Sequence, residues 1–235
     1  VQFDTLATLN AERAARRPVI VVTEVASGAQ RLVKQADFDA DPLAAELDRA
    51  LRMGKSGMIE VDGRQLFLTV HAPVARLVVI GAVHISQALA PLAASLDYDV
   101  TVIDPRTAFA SEERFAGVKL VAAWPDEALP PLNIDRYTAF VALTHDPKID
   151  DPALLHALSR DCFYVGALGS RKTHGKRLER LQAQGATEAQ LARIHAPIGL
   201  AIGAVSPAEI AVSIMAEITA TLRLPARAAV RESAA

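Results

Sequence analysis

The sequence predicts an α/β protein, with a doubly wound parallel sheet over residues 74–235 and a small α+β domain over residues 1–73. Three observations lead there. From Arg76 onward, short and nearly continuous apolar runs (RLVVI, DVTVI, VKLVA, TAFVAL, CFYVGAL) alternate with helical patterns, as in parallel strands covered on both faces. Before Pro73, the segment SGMIEVDGRQLFLTV alternates apolar and polar residues on either side of Asp62-Gly63, a strong hairpin signal. Finally, 51% hydrophobic and 22% charged residues in 235 are enough for one or two normal cores and exclude a disordered chain.

The elements follow in order. Residues 4–16 are good helix formers with Asp4 as a cap and Pro18 as the stop. The β-branched run PVIVVTEV predicts a strand ending at Ser27-Gly28. Asp41 then caps a helix with Pro42 in its first turn, an apolar stripe at Leu43, Leu47 and Leu51, and Gly54 as terminator. The hairpin closes the small domain near Ala72, and Pro73 begins a linker. Further on, Asp151-Pro152 is expected to open the helix that holds Leu154, Leu155 and Leu158, and Thr187 with Gln190 forms a capping-box pattern. Ser206, Pro207 and Glu209 combine a cap, a first-turn proline and a reciprocal acid ahead of IAVSIMAEITATL. That long apolar helix is expected either to be buried or to form a homodimer interface. The Ala/Arg-rich end after Pro225 reads as frayed.

Composition excludes several function classes. With 25 Lys+Arg against 27 Asp+Glu and no long block of either sign, there is no footprint for nucleic acid or for polybasic membrane binding. A single cysteine forms neither an internal disulfide nor a CxxC pair, and no apolar stretch approaches the roughly 18 residues of a membrane span. Without a signal-like start, a cytoplasmic protein is expected. The 6 histidines are scattered without HExxH spacing, so no protein-bound metal is expected.

Four places carry candidate chemistry. RLVVI runs into Gly81-Ala82-Val83-His84-Ile85-Ser86, where a dinucleotide fingerprint would carry glycines at 81, 83 and 86. Gly81 can make the tight turn, whereas Val83 blocks the closest approach to a pyrophosphate and Ser86 is expected to loosen helix packing. Asp104, at the end of the second strand, stands where a ribose-binding carboxylate belongs, or else starts a turn with Pro105. Arg106 beside it could meet a phosphate or be a solvated surface arginine. Thr144, His145 and Asp146 follow the fourth strand, at the edge where open α/β sheets place ligands. There the carboxylate could fix the histidine's tautomer, or Asp146 and Asp150 could instead satisfy helix-start N–H groups.

After the fifth strand, Gly169, Ser170 and Arg171 suit a phosphate: glycine lets amides approach, and arginine binds bidentately. The alternative is a basic helix start, disfavoured by the helix dipole. A last glycine-rich loop carries His195 and Gly199, and could close over a ligand or simply cover core. Cys162 begins an apolar strand and reads as buried and inert.

Taken together, VVIGAVHISQALA, VTVIDPR, ALTHDPKIDDPAL, YVGALGSRKT, HAPIGL and IGAVSPAEIAVSIMAEI resemble the XdhC/CoxI family of molybdenum-hydroxylase maturation factors over residues 76–224. The resemblance implies a small N-terminal domain joined to a Rossmann-like domain. It also implies a chaperone that binds molybdenum cofactor, assists its sulfuration and delivers it to a xanthine or carbon monoxide dehydrogenase. Matched by motif, Gly81 and His84 belong to the first turn, Asp104 and Arg106 to the second strand's end, Thr144, His145 and Asp146 to the fourth, and Gly169, Ser170 and Arg171 to the GSR loop. His195, Pro197, Gly199, Pro207 and Glu209 belong to the last block.

The implied ligand is molybdopterin or its cytosine dinucleotide form, with the GSR loop on phosphate and His145 with Asp146 toward the pterin or its metal end. The implied partners are a cysteine desulfurase and the hydroxylase large subunit. Three departures stand out: the poor glycine content of the first turn, Ala201 where many members carry an acid, and no Gly-Gly-Cys-type loop in residues 1–72. Two alternatives stand beside this accessory, non-enzymatic role. One is an NAD(P)-dependent oxidoreductase, on the strand-turn-helix and Asp104; the other is an assembly partner without a ligand.

Overall fold

The computed structural model describes residues 3–224, in two compact units that divide between Pro73 and Val74. The end after Pro225 lies outside the described residues. In the first unit, α1 (Phe3–Ala14) precedes β1 (Val19–Glu24), β2 (Gln30–Lys34), α2 (Ala44–Met53), β3 (Gly57–Val61) and β4 (Arg64–His71). The helix starts at Phe3, so Asp4 lies in its first turn, where its charge still suits the dipole, and not at the cap.

The four strands form an antiparallel sheet in the order β2-β1-β4-β3. Strand β2 goes beyond what the sequence predicts, because only Val33 of its five residues is buried and the alternation is too short to register. Asp62 and Gly63 both take positive φ, 50° and 71°, as a two-residue hairpin turn demands. Leu43, Leu47 and Leu51 pack on Ile20, Leu66 and Leu68. Asp41 accepts the Leu43 N–H at 2.9 Å, and Gly54 ends α2 in the left-handed region.

The second unit runs β5 (Arg76–Ile80), α3 (His84–Ala94), β6 (Asp99–Ile103), β7 (Lys119–Val121), α4 (Pro125–Ala128), β8 (Thr138–Ala142), α5 (Pro147–Leu158), β9 (Tyr164–Ala167), α6 (Arg171–Ala183), α7 (Glu188–Leu191), β10 (Ile194–His195) and α8 (Pro207–Arg223). All pairings are parallel, in the order β10-β9-β8-β5-β6-β7. This is the α/β, Rossmann-like arrangement. Alternate residues of one strand serve opposite faces, Val78 and Ile80 packing with α5 residues such as Ala153 and Leu154, while Leu77 and Val79 pack with α3 and α8.

Two expectations need correction. Helix α5 begins at Pro147 with Asp146 as N-cap, not at Asp151-Pro152, because the Asp146 carboxylate takes the Lys148 N–H at 2.9 Å and Pro147 fills the first position. And β10 is an extra edge strand, only two residues long and therefore silent in the periodicity.

Helix α8 buries Ala211, Ile214, Met215 and Ile218 beside Leu89, Ala90 and Ala93 of α3, so its apolar face is occupied within the chain. Its start is the expected capping box, Ser206 accepting from Glu209 N–H and Glu209 accepting from Ser206 N–H. Ser206→Ala should cost about 1 kcal/mol, measured by urea unfolding at neutral pH.

The position of the ligand edge follows from the topology. After β5 the chain builds β6 and β7 on one side, then returns to build β8, β9 and β10 on the other. The reversal falls at the carboxyl ends of β5 and β8, where sheets of this class take their ligands.

Candidate functional site

At the end of β5, Gly81 adopts φ 108°, and its N–H continues the ladder to the Ile103 carbonyl at 2.8 Å. A Cβ there would stand 2.7 Å from Thr144 Cγ2, so glycine is required both for the turn and for the close approach of the β8 end. Ser86 does not loosen this region. Its fully buried hydroxyl donates to the Gly81 carbonyl and ties α3 to the turn. Val83 is half-buried, and His84 is exposed at the first position of α3.

Asp104 is completely buried, and donors of its own chain occupy both its oxygens. Oδ2 accepts Ala82 N–H at 2.8 Å and Arg106 Nη2 at 2.7 Å; Oδ1 accepts Arg106 N–H and Nε, both at 2.9 Å. Burial pushes this carboxyl up, but the guanidinium and the two backbone N–H groups outweigh it and hold the pKa below the ordinary value. Asp104 thus both starts its turn and locks the β5 turn to the β6 end, and a ribose could reach it only by displacing Arg106.

Arg106 is clamped in that bidentate pair, stacks 4.6 Å from the Phe109 ring centroid, and also feels the charges of Asp146 and Asp150. It is not a free surface arginine. Arg114 adds a second tie, donating to the Ala82 and Phe109 carbonyls at 3.1 and 2.8 Å.

At the end of β8, Thr144 Oγ1 donates to Asp150 Oδ1 at 2.7 Å, and His145 N–H donates to Asp150 Oδ2 at 3.0 Å. His145 takes φ 63°, an uncommon conformation for a side-chain-bearing residue, and its ring is exposed. The expected His145–Asp146 pairing does not form: Asp146 is committed to the α5 cap, and the His145 imidazole has no hydrogen bond within the described residues. Asp150 is buried, and that burial raises its pKa against the opposing bonds from Thr144 and His145. The helix-start role open to Asp146 and Asp150 is therefore present, and it presents His145 outward.

At the end of β9, Gly169 (φ 135°) leads into Ser170, the N-cap of α6, whose hydroxyl accepts Thr173 N–H at 3.2 Å. Arg171 and Lys172 are exposed at the first two positions of this 13-residue helix. The GSR segment is thus a basic helix start, the alternative that the dipole disfavours. Among the described residues, the backbone N–H groups of Gly169, Ser170, Arg171 and Lys172 have no protein partner. Consecutive free amides at the positive end of a helix dipole, flanked by two cations, make an arrangement that takes an anion.

His195 and Gly199 belong to a separate cluster at the end of β10. Glu217 of α8 accepts the Tyr164 hydroxyl at 2.6 Å and the Gly199 N–H at 2.8 Å, and lies 3.0 Å from His195 Nδ1. A Cβ at Gly199 would collide with Ser213, so this glycine also seats the loop on α8. Cys162 is buried, and burial pushes its thiol up to about 12, so it stays protonated and inert.

The XdhC Rossmann domain matches residues 77–218. This chain belongs to the XdhC family. Among its relatives it is 36% identical over 174 residues to the uncharacterized protein YqeB of Escherichia coli K12, covering 71% of this chain and 32% of that one. It is 32% identical to a probable xanthine dehydrogenase subunit of Bacillus subtilis 168, covering 66% and 46%, and 34% identical to the molybdenum cofactor insertion chaperone PaoD of E. coli K12, covering 65% and 41%. The chain spans about a third to a half of the length of these relatives. A crystal structure from Bacillus halodurans described as a xanthine dehydrogenase shares the fold, with TM-score 0.66 and 21% identity over 97% of this chain and 66% of that one.

In the second unit of this XdhC-family chain, the buried ionisable residues Glu217 and Arg177 escape sequence reasoning. Glu217 falls on the apolar face of α8, three residues after Ile214, a placement that by itself calls for a buried partner. Arg177 is 2% exposed and lies four residues before the buried Leu181 of α6, on the inward face of an otherwise charged helix. The described residues contain no group of three or more His, Cys, Asp or Glu side chains that could hold a metal, and no helix long and apolar enough to cross a membrane.

Proposed function

We propose that this chain is an accessory protein that carries molybdenum cofactor as cargo and hands it to a molybdenum hydroxylase of the xanthine or carbon monoxide dehydrogenase type. The observation that carries the reading is the run of unpartnered N–H groups from Gly169 to Lys172, with Arg171 beside it, at the ligand-binding edge of an XdhC-family sheet. Molybdopterin ends in a phosphate, and that turn offers what a phosphate needs: fixed donors, a helix dipole and a guanidinium fork. A relative named as a molybdenum cofactor insertion chaperone supports the same reading.

In this reading Ser170 and Gly169 shape the anion turn and Arg171 closes on the phosphate. The open side of the sheet edge beside His84 and Thr144, over the tightly packed Gly81 turn, accommodates the pterin, with exposed His145 toward its metal end. Arg106, held over Asp104, offers an outward cation to the second phosphate of a cytosine dinucleotide form. The chain supplies binding and shielding, while sulfuration is the work of a partner cysteine desulfurase. The hydroxylase large subunit receives the cargo, and the carrier works as a homodimer in the cytoplasm.

The test is a titration of the purified chain with anaerobically released molybdenum cofactor, run beside NAD and a cytidine nucleotide. Saturable cofactor binding, weakened at least tenfold by Arg171→Ala, is the expected result. Binding of NAD without the cofactor would overturn the proposal in favour of a nicotinamide enzyme. Binding of neither would leave an assembly partner.

A further inference from the structure

Arg177 has an environment that its own chain does not complete. The residue is only 2% exposed, and of its guanidinium nitrogens only Nη2 is bonded, to the Leu168 carbonyl at 2.7 Å. Nε and Nη1 are both buried and have no hydrogen-bond partner. Two carboxylates lie close enough to act on its charge, yet neither bonds it: Asp150 is taken up by Thr144 and His145, and Asp151 by Arg180 at 2.5 and 2.9 Å. A buried cation with open donors is costly, so proteins keep one where something else completes it.

Its position says what that is. Leu168 immediately precedes the Gly169–Lys172 turn, and a Cβ built on Gly169 would stand 3.7 Å from Nη2. The same Cβ would meet Thr173 Cβ and Cγ2 at 3.4 Å, so glycine at 169 lets the turn lie close against both Thr173 and the guanidinium. In the planar guanidinium Nη2 shares one edge with Nε and the other with Nη1, so the nitrogen nearest the turn pairs with either open donor to present two N–H bonds to one anion.

We propose that Arg177 is the buried anchor of an oxyanion subsite whose outer wall is the amide turn Gly169–Lys172, and that the subsite takes a phosphate monoester or diphosphate. The inference rests on the proposed function only in locating the anion at this turn. It adds the specificity-determining residue: Arg171, exposed to solvent, contributes attraction, whereas Arg177 offers one planar edge to two oxygens while the amide turn offers donors to a third, a set that a phosphate fills and a halide or a two-oxygen carboxylate does not.

The experiment is calorimetric titration of the full chain with inorganic phosphate, pyrophosphate and acetate, together with the thermal midpoint without ligand, for wild type, Arg171→Ala, Arg177→Met and Arg177→Lys. Pyrophosphate should bind and acetate should not. Arg177→Met should lower pyrophosphate affinity at least tenfold, more than Arg171→Ala does, while the ligand-free midpoint holds or rises because buried donors without partners are gone.

Unchanged affinity with a lowered midpoint would overturn the proposal and make Arg177 the structural counter-ion of Asp150. Should Arg177→Met fail to fold, Arg177→Lys, which keeps the charge and loses the fork, decides the matter: a several-fold loss supports the subsite and wild-type affinity overturns it. The two readings separate cleanly. Arg177-dependent pyrophosphate binding without molybdenum cofactor binding retains the subsite and removes the cargo, whereas cofactor binding indifferent to Arg177 does the reverse.

Discussion

Glu217→Leu is expected to lower the stability of the second unit by about 3–5 kcal/mol, the range for removing one member of a buried polar cluster. The reason is the number of groups left behind. Tyr164 is 1% exposed, and its hydroxyl, the Gly199 N–H and His195 Nδ1 all converge on this one carboxylate. Leucine offers none of them an acceptor. Tyr164→Phe leaves the carboxylate in place for Gly199 and His195 and should cost about 1 kcal/mol. Urea unfolding followed by fluorescence is the measurement, since the single tryptophan, Trp124, lies in the second unit. A loss for Glu217→Leu no larger than that for Tyr164→Phe would show that the cluster is not a stability determinant.

The pH dependence has a definite sign. Burial pushes the Glu217 carboxyl up, but the bonds from His195, Tyr164 and Gly199 outweigh it, so its folded pKa lies below the ordinary 4.5. A depressed folded pKa means that the stabilisation is fully present above the unfolded value and is lost as pH falls through the folded one. The difference between wild type and Glu217→Leu should therefore shrink on acidification below about pH 4.5.

Asp104→Ala is expected to cost about 3 kcal/mol, because it strands the buried Ala82 N–H and removes the clamp on Arg106. The loss falls below that for Glu217 since Arg106 is 33% exposed and can turn toward water. Asp104 likewise has a lowered folded pKa, so its contribution also fades on acidification. The useful control is Asp104→Asn. It keeps the shape but turns an NH₂ against donors that need an acceptor, so it should recover only part of the loss. Full recovery would mean that shape, not charge, holds the β5 turn to the β6 end.

Much of the architecture was legible because its signals are local. An apolar run of five residues announces a doubly covered strand wherever it lies, and Ser206-Pro207 with Glu209 announces a helix start from bonds made within three residues. The carboxyl edge of the sheet was legible too, since Gly81, Asp104, Thr144 and Gly169 each end or follow a strand. What those residues do there was less legible. Asp104 reads equally as a ribose ligand and as a turn former until Arg106 and Ala82 are seen bonded to it. Asp146 reads as a partner for His145 until the α5 start claims it.

By itself, the sequence determined the two kinds of sheet, the strands other than β2 and β10 and the family. These rest on periodicity, capping and turn chemistry, which act over a few residues. Only the tertiary structure decided that β8 crosses to the far side of β5 and that Ser86 ties α3 down. It also decided that Glu217 gathers Tyr164, His195 and Gly199 across as many as 53 positions, and that Arg177 lies behind the Gly169 turn. The physical reason is common to the last three: whether a buried polar group is satisfied depends on which distant segments the packed core brings beside it, and no local pattern records that.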